Sequence, residues 1–252
     1  LKWLGIEWQE GPIRQSVHLH IYEGYLRQLI ANGRAYWCDC TKENLEAKRK
    51  NMMEAGIAPR YDGHCRDKRV PEGINAVIRF IMPERVISFT DLVRGKIEFN
   101  MALAGDIVIA KGLTSPLYNF AVVCDDHEMA ITHVIRGEDG IPNTPKQLAL
   151  QEALGFKHPH YAHIPLILDT DRSKMSKRNS ATALKEYAEV GYLPEAMINF
   201  LALLGWHPVD NRETFTADEL AIAFDIERVQ KAGAIFSIAK LNWMNAHYIK
   251  NM

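Results

Sequence analysis

The sequence of 252 residues has few cysteines, no excess of one charge and no long apolar run. Four cysteines are too few for a disulfide scaffold in a chain of this size. The 30 Lys and Arg residues balance 31 Asp and Glu residues, so contact with a polyanion requires a local basic face. No apolar run approaches the roughly 20 residues that cross a bilayer, and the first residues lack an export signal. We therefore expect a cytoplasmic protein with no membrane partner.

Apolar residues make up 47 % of the chain, which is enough for one large core or several small ones. The chain opens at Leu1 without an initiator Met and stops at Met252 directly after a helical pattern. We interpret it as a piece of a longer protein.

The front of the chain alternates helix and strand. Helical spacing predicts a helix over residues 16–32, begun by Ser16 as the N-cap and ended by Gly33. A short strand over 35–38 and a charged, exposed helix over 41–56 follow. Four β-branched runs then predict a small inserted β-rich domain. These runs cover residues 76–80, 86–89, 96–99 and 106–109.

Behind Pro116 the pattern becomes helix, strand, helix, strand. Residues 118–126 and 145–154 are predicted helices, and residues 131–136 and 164–168 are predicted buried strands. This order implies βαβ connections and a parallel sheet.

Beyond residue 180 the sequence predicts an all-α region. The patterns indicate helices over 182–190 and 194–204. Thr216 and Glu219 have the spacing of a capping box that opens a further helix.

A basic pentapeptide follows the last predicted strand. It consists of Lys174, Met175, Ser176, Lys177 and Arg178, at the carboxyl end of a parallel strand, where open α/β sheets bind ligands. Lysine ammonium groups act as point charges on phosphate oxygens. We expect Lys174 and Lys177 to contact a triphosphate, with Ser176 closing the turn. A solvated basic turn before a helix is the alternative.

This pentapeptide resembles the lysine-rich ATP signature of the class I aminoacyl-tRNA synthetases. Residues 118–127, 133–139 and 143–147 are similar to the amino-acid pocket of one member, the glutamyl-tRNA synthetases. Residues 11–16 and 240–245 also resemble that family, so the similarity extends over essentially the whole chain.

The resemblance implies an α/β fold with a Rossmann-like parallel sheet. Residues 1–50 and 116–180 would form the nucleotide-binding domain, incomplete at its N-terminus because the family's His-Ile-Gly-His signature is absent. Residues 51–115 would be the inserted domain for the tRNA acceptor end, and residues 181–252 a helical stem-contact domain. The anticodon-binding domain would lie outside the chain.

The expected amino-acid pocket is built around Arg136. A guanidinium at the end of a buried strand offers a planar pair of donors to a carboxylate. The resemblance implies that Arg136 binds the side chain of glutamate, that Tyr118 donates its hydroxyl and that Asp139 lies near the substrate ammonium. Internal pairing of Arg136 with Glu138 or Asp139 is the alternative.

Three of the four cysteines are crowded between positions 38 and 65, which fits metal binding in a reducing compartment. Cys38, Cys40, Tyr61 and Cys65 are similar to one version of the structural zinc site in this family. His64 competes with Tyr61 for the fourth position, and metal-free thiols remain the alternative.

Two other features carry less weight. His18 and His20 are predicted to be exposed helix residues without a catalytic role. Gly140 and Asn179 stand at positions where the family usually has His.

The resemblance implies a glutamate–tRNA ligase. Glutamate would be activated with ATP and Mg²⁺, and the catalytic charges would be Lys174 and Lys177. The expected partners are L-glutamate, ATP and tRNA(Glu), with tRNA(Gln) left open, and the expected state is a monomer that binds structural Zn²⁺. The alternatives are the truncated paralogue that glutamylates queuosine in tRNA(Asp), favoured by the Cys-Cys-Tyr-Cys spacing, and a non-catalytic tRNA-binding module.

Overall fold

A computed structural model describes residues 1–73, 75–175 and 183–251. Ser176, Lys177 and Arg178 of the basic pentapeptide therefore lie outside the described residues, as does Asn179. The described α-helices are α1 (Leu19–Ala31), α2 (Lys42–Glu54), α3 (Tyr118–Glu128), α4 (Thr144–Leu154), α5 (Leu184–Glu189), α6 (Pro194–Leu203), α7 (Ala217–Ala223) and α8 (Ile238–Lys250). The described strands are β1 (Ala35–Cys38), β2 (Val77–Phe80), β3 (Val86–Asp91), β4 (Gly95–Asn100), β5 (Ile107–Ala110), β6 (His133–Gly137), β7 (His160–Ile164), β8 (Ile167–Leu168) and β9 (Ala234–Ile235).

The first helix begins later than the sequence predicted. Residues Gln15–Val17 form a 3₁₀ turn, and His18 rather than Ser16 occupies the N-cap of α1. The helix buries Tyr22, Leu26 and Leu29, which recur at a spacing of three and four residues. The prediction of Ser16 as the cap is wrong because the polypeptide turns once more before the α-helical hydrogen bonds begin.

Two sheets form the centre of the molecule. One is antiparallel, in the order β1-β2-β5, and the other has the order β4-β3-β7-β6. In the second sheet β6 and β7 run parallel, and α4 lies between them in the sequence. This confirms the predicted βαβ connection. The strand β3 also pairs in parallel with β7, through Asp91 and Tyr161.

A single apolar core connects these elements. It joins the first helix, both sheets, α3 and α4, and so crosses the boundaries expected at residues 50 and 115. The domain limits themselves remain predictions. Core residues from these elements include Tyr22, Leu26, Ile78, Phe80, Ile87, Ile109, Phe120, Leu148 and Tyr161.

The two strands predicted to be buried are more open than expected. In β6, which is an edge strand, Ile135 is 57 % exposed. The predicted strand over 164–168 is divided into the end of β7 and the short β8, which is only partly buried. Pro165 lies between them and has no N–H to donate to a ladder, so the pairing stops there.

The last third of the chain is mostly helical. Thr216 and Glu219 form both hydrogen bonds of the predicted capping box at the start of α7. The expectation of an all-α region is wrong in one detail, because β9 pairs in parallel with β8. Leu4 packs with Met197, Phe200 and Leu241, so the first residues share a core with these helices. Within the described ranges, no helix has both the length and the apolar character needed to cross a bilayer.

Candidate active site

Arg136 lies near the carboxyl end of β6, where strand, turn and helix meet. Its Nη2 donates to Thr144 Oγ1 at 2.9 Å, to Gln147 Oε1 at 2.8 Å and to the carbonyl oxygen of Gly140 at 3.2 Å. Its Nη1 donates to the hydroxyl of Tyr118, the first residue of α3, at 3.4 Å. The guanidinium is thus fixed by neutral groups, and its Nη1 edge faces an exposed tyrosine.

The positive charge of Arg136 has no ion-pair partner among the residues that the structure describes. The two acidic groups that follow Arg136 in the sequence bind other cations, since Glu138 pairs with Arg94 at 2.7 Å and Asp139 pairs with Lys174 at 2.8 Å. The internal pairing that was the alternative for Arg136 is therefore not formed. Burial raises the pKa of Asp126 on α3 to about 6, although the charge of Arg136 lowers it.

Lys174 contacts the turn that follows Arg136. Its backbone forms an isolated antiparallel β-bridge with Leu168 of β8. Its Nζ donates to Oδ2 of Asp139, which lies three residues beyond Arg136 in the sequence. The hydrogen bond from Lys174 lowers the pKa of Asp139. Met175 continues this turn, and its backbone N–H donates to the carbonyl oxygen of Ile167 at 3.1 Å. The first lysine of the basic loop is therefore connected, through Asp139, to the turn that follows Arg136.

A buried pair behind Arg136 was not found from the sequence. Arg136 Nε donates to His163 Nε2 at 3.1 Å, and His163 Nδ1 lies 2.6 Å from Asp91 Oδ2. Both side chains of the pair are fully buried. Two features of the sequence could have pointed to this pair. His163 lies inside the mostly apolar run at 161–164, and Asp91 lies directly before the turn at 92–94.

His18 and His20 occupy the start of α1. His20 is exposed, as predicted, but His18 is half-buried and its Nδ1 lies 3.4 Å from Asp125 Oδ1. The same carboxylate accepts a 2.5 Å hydrogen bond from Tyr22. These contacts tie α1 to α3 and give His18 a structural partner.

The second candidate site gathers three thiols. The sulfur atoms of Cys38, Cys40 and Cys65 lie within 4.8 Å of one another, and those of Cys40 and Cys65 are 3.4 Å apart. The hydroxyl of Tyr61 lies 3.3 Å from Cys38 Sγ and 3.5 Å from Cys40 Sγ. His64 is exposed and does not belong to the group. Because tetrahedral Zn–S bonds of about 2.3 Å separate the sulfurs by about 3.8 Å, the donor set fits zinc.

Comparison with known proteins identifies the family of the chain. Residues 1–243 match the family model described as tRNA synthetases class I (E and Q), catalytic domain. The chain belongs to this family.

Relatives of this class I synthetase chain carry the name glutamate–tRNA ligase. The protein of that name from Carboxydothermus hydrogenoformans is 50 % identical over 100 % of the chain and 56 % of its own length. The second such ligase of Caldanaerobacter subterraneus is also 50 % identical, over 99 % of the chain and 55 % of its own length. The chain thus spans about half the length of the curated relatives it matches.

A solved structure supports the class I synthetase fold. The crystal structure of a glutamate tRNA ligase from Elizabethkingia meningosepticum, in complex with its amino acid, superposes with a TM-score of 0.88. It is 36 % identical and covers 100 % of the chain and 58 % of that protein. The α/β fold class is confirmed, with parallel strands at its centre.

Proposed function

We propose that this chain contains the amino-acid and ATP sites of a glutamate–tRNA ligase. The observation that carries the proposal is the state of Arg136, whose guanidinium is held by neutral hydrogen-bond partners and faces the Tyr118 hydroxyl. A half-buried cation without an acidic partner among the described residues is suited to binding a carboxylate from solution. The side chain of glutamate supplies that carboxylate.

The proposed reaction has two steps, an adenylyl transfer followed by an acyl transfer. An α-carboxylate oxygen of glutamate attacks the α-phosphorus of ATP, and the bond between the α-phosphorus and the pyrophosphate oxygen breaks to give glutamyl-adenylate and pyrophosphate. A ribose hydroxyl at the tRNA 3′ end then takes the glutamyl group and releases AMP. The attacking carboxylate is already ionised at neutral pH, so alignment and charge stabilisation rather than a general base must drive the first step.

We propose that the basic loop supplies the positive charge that contacts the phosphates. Mg²⁺ bound with ATP would supply further positive charge to the phosphate oxygens. Lys174 pairs with Asp139, three residues beyond Arg136, and the side chains of Lys174 and Asp139 are well exposed. A triphosphate can therefore compete with Asp139 for Lys174, because an exposed ion pair is worth only about 0–1 kcal/mol. Lys177, Ser176 and Arg178 complete the proposed ATP-binding set, and Asp139 is then free for the substrate ammonium.

We further propose that Cys38, Cys40, Cys65 and Tyr61 hold a structural zinc ion. Zinc bound there would connect the end of β1 to the loop before β2 and leave no open coordination position. The thiols fit a protein that works in the reducing cytoplasm. The chemistry of the ligase does not pass through this site.

For the tRNA we propose contacts by the inserted region at 51–115 and the helices beyond 183. The assignment of tRNA(Glu), with tRNA(Gln) left open, and of a monomer rests on the family resemblance. A queuosine-modifying paralogue is the second candidate, since the Tyr61 hydroxyl lies among the thiols as the Cys-Cys-Tyr-Cys pattern of that paralogue implies. Charging of the tRNA 3′ end, as opposed to a modified base, distinguishes the two.

The test is glutamate-dependent ATP–pyrophosphate exchange by the full-length protein in the presence of tRNA. Arg136→Ala should reduce the exchange by at least about 100-fold, as expected for loss of a buried charge contact of about 3 kcal/mol, while tRNA binding is retained. Arg27→Ala removes an exposed arginine that pairs with Glu23 and serves as the matched control. Unchanged exchange in Arg136→Ala would remove Arg136 from the pocket.

A further inference from the structure

The buried pair behind Arg136 forms a row across three neighbouring strands. His163 lies in β7 directly opposite Arg136 of β6, and Asp91 ends β3 beside β7. The imidazole and the carboxylate are both fully buried. A charged group and a histidine so far from water require an explanation, because burial of either is costly without a specific partner.

The contacts fix the protonation state of the imidazole. A guanidinium donates hydrogen bonds and cannot accept them, so His163 Nε2 must accept from Arg136 Nε and carry no proton. Nδ1 then carries the proton and donates it to Asp91 Oδ2. Burial lowers the pKa of His163, and the charges of Arg136 and Arg94 lower it further against the opposing effect of Asp91. The ring is therefore neutral with its proton on Nδ1.

Asp91 is fixed as firmly as the ring. Its Oδ1 accepts the backbone N–H groups of Val93 at 3.0 Å, Arg94 at 2.8 Å and His163 at 3.2 Å. Burial raises the pKa of Asp91, but these hydrogen bonds outweigh it and hold the pKa below its ordinary value. An ionised carboxylate thus anchors the imidazole from behind.

The position of the negative charge is informative. A carboxylate in direct contact with Arg136 would compete with an acidic substrate for the same donors. With one imidazole between them, Asp91 stabilises the cation electrostatically but cannot occupy its donors. Nε is bound by His163 and Nη2 by Gly140, Thr144 and Gln147, so Nη1 is the part of the guanidinium that faces Tyr118.

We infer that His163, oriented by Asp91, is a positioning residue that turns the guanidinium of Arg136 so that Nη1 and the Tyr118 hydroxyl together receive the substrate carboxylate. The inference rests on the proposed function of Arg136 and deepens it. The substrate carboxylate is then bound by one guanidinium nitrogen and one hydroxyl. It is not bound by both terminal nitrogens of the guanidinium. His163 itself does not touch the substrate.

Two substitutions of similar size separate positioning from packing. In His163→Gln the amide oxygen can take the place of Nε2 and accept from Arg136, whereas in His163→Asn the shorter amide reaches Asp91 and leaves Arg136 Nε without an acceptor. We expect the KM for glutamate to stay within about 3-fold in the Gln variant and to rise at least about 10-fold in the Asn variant, the effect of one hydrogen bond to a charged group. The KM for ATP and the kcat should change less, and both variants should melt at similar temperatures. Equal changes in the two variants would assign His163 to packing alone and overturn the inference.

A second measurement does not depend on activity. ¹⁵N NMR spectra of the full-length protein near neutral pH should contain the signals of a neutral imidazole protonated on Nδ1, and these signals should be lost in His163→Asn. The Arg136 Nε resonance should shift more in the Asn variant than in the Gln variant. A ring protonated on Nε2, or on both nitrogens, would contradict the inference. Absence of glutamate-dependent exchange in the unchanged protein would instead remove the proposed function and leave the tautomer result standing.

Discussion

The cysteine cluster turns its ligand atoms towards one another, whereas Arg136 turns part of its guanidinium away from its neighbours. Cys38, Cys40, Cys65 and the Tyr61 hydroxyl converge on a single point. Arg136 is held on two of its nitrogens and presents the third beside an exposed tyrosine. Both regions concentrate polar groups at the ends of strands, but their geometries differ. A closed donor set suits a structural ion, and an open cation suits a substrate that arrives and leaves.

The largest effect is expected from removing one thiol of the closed site. Cys38→Ser should abolish zinc binding and lower the free energy of unfolding by more than about 4 kcal/mol, the size expected for loss of a structural metal. Elemental analysis should find about one zinc per chain before the change and none after it. Cys124→Ala is the matched control, because Cys124 is a buried thiol in the main core and its loss should leave the zinc content unchanged. A protein that contains no zinc in either form would contradict the closed-site interpretation.

A smaller effect is expected from adding one methyl group beside the open site. A Cβ at Gly140 would lie closer to the guanidinium of Arg136 than van der Waals contact permits, and the backbone there does not need the left-handed region. Gly140→Ala should therefore displace the guanidinium and raise the KM for glutamate about 10-fold, a loss of about 1.4 kcal/mol, without lowering the melting temperature. Gly24→Ala in α1 adds a methyl group into open space and controls for the change of residue type. A normal KM in Gly140→Ala would mean that the present orientation of Arg136 is not the one that binds substrate.

The last prediction concerns the fourth zinc ligand. Tyr61→Phe removes the hydroxyl but keeps the ring. The ring packs against the guanidinium of Arg79, whose Cζ lies 3.7 Å from the ring centroid. If this hydroxyl ligates zinc, the affinity for zinc in a chelator competition should fall by about 10-fold or more, with the fold retained. His64→Ala is the control and should bind zinc normally because His64 lies outside the cluster. The opposite result for the two variants would give the fourth position to His64.

Elements with strong local signals were predicted well. The helix α4 begins with Pro145 in its first turn and ends at Gly155 with φ 74, where a residue without a side chain is favoured. The capping box at Thr216 formed as its spacing implied. These features depend on hydrogen bonds between residues three to five positions apart, so a sequence read locally contains them.

The candidate site was predicted in part. Arg136 was found because it is a cation at the end of an apolar run, and the thiols were found because Cys38 and Cys40 are close in sequence. The Asp91–His163 pair was missed because 72 residues separate its members. No local pattern distinguishes a buried aspartate before a turn from an exposed one.

The sequence by itself determined the order of the elements and the family, because periodicity, capping and short motifs are local properties. Only the tertiary structure decided that β3 pairs with β7, that Asp139 holds Lys174, and that Arg136 is fixed by His163 and not by a neighbouring acid. Those outcomes depend on which strands lie side by side in the folded chain. Packing across long sequence separations sets that order, and with it the direction in which a single guanidinium points.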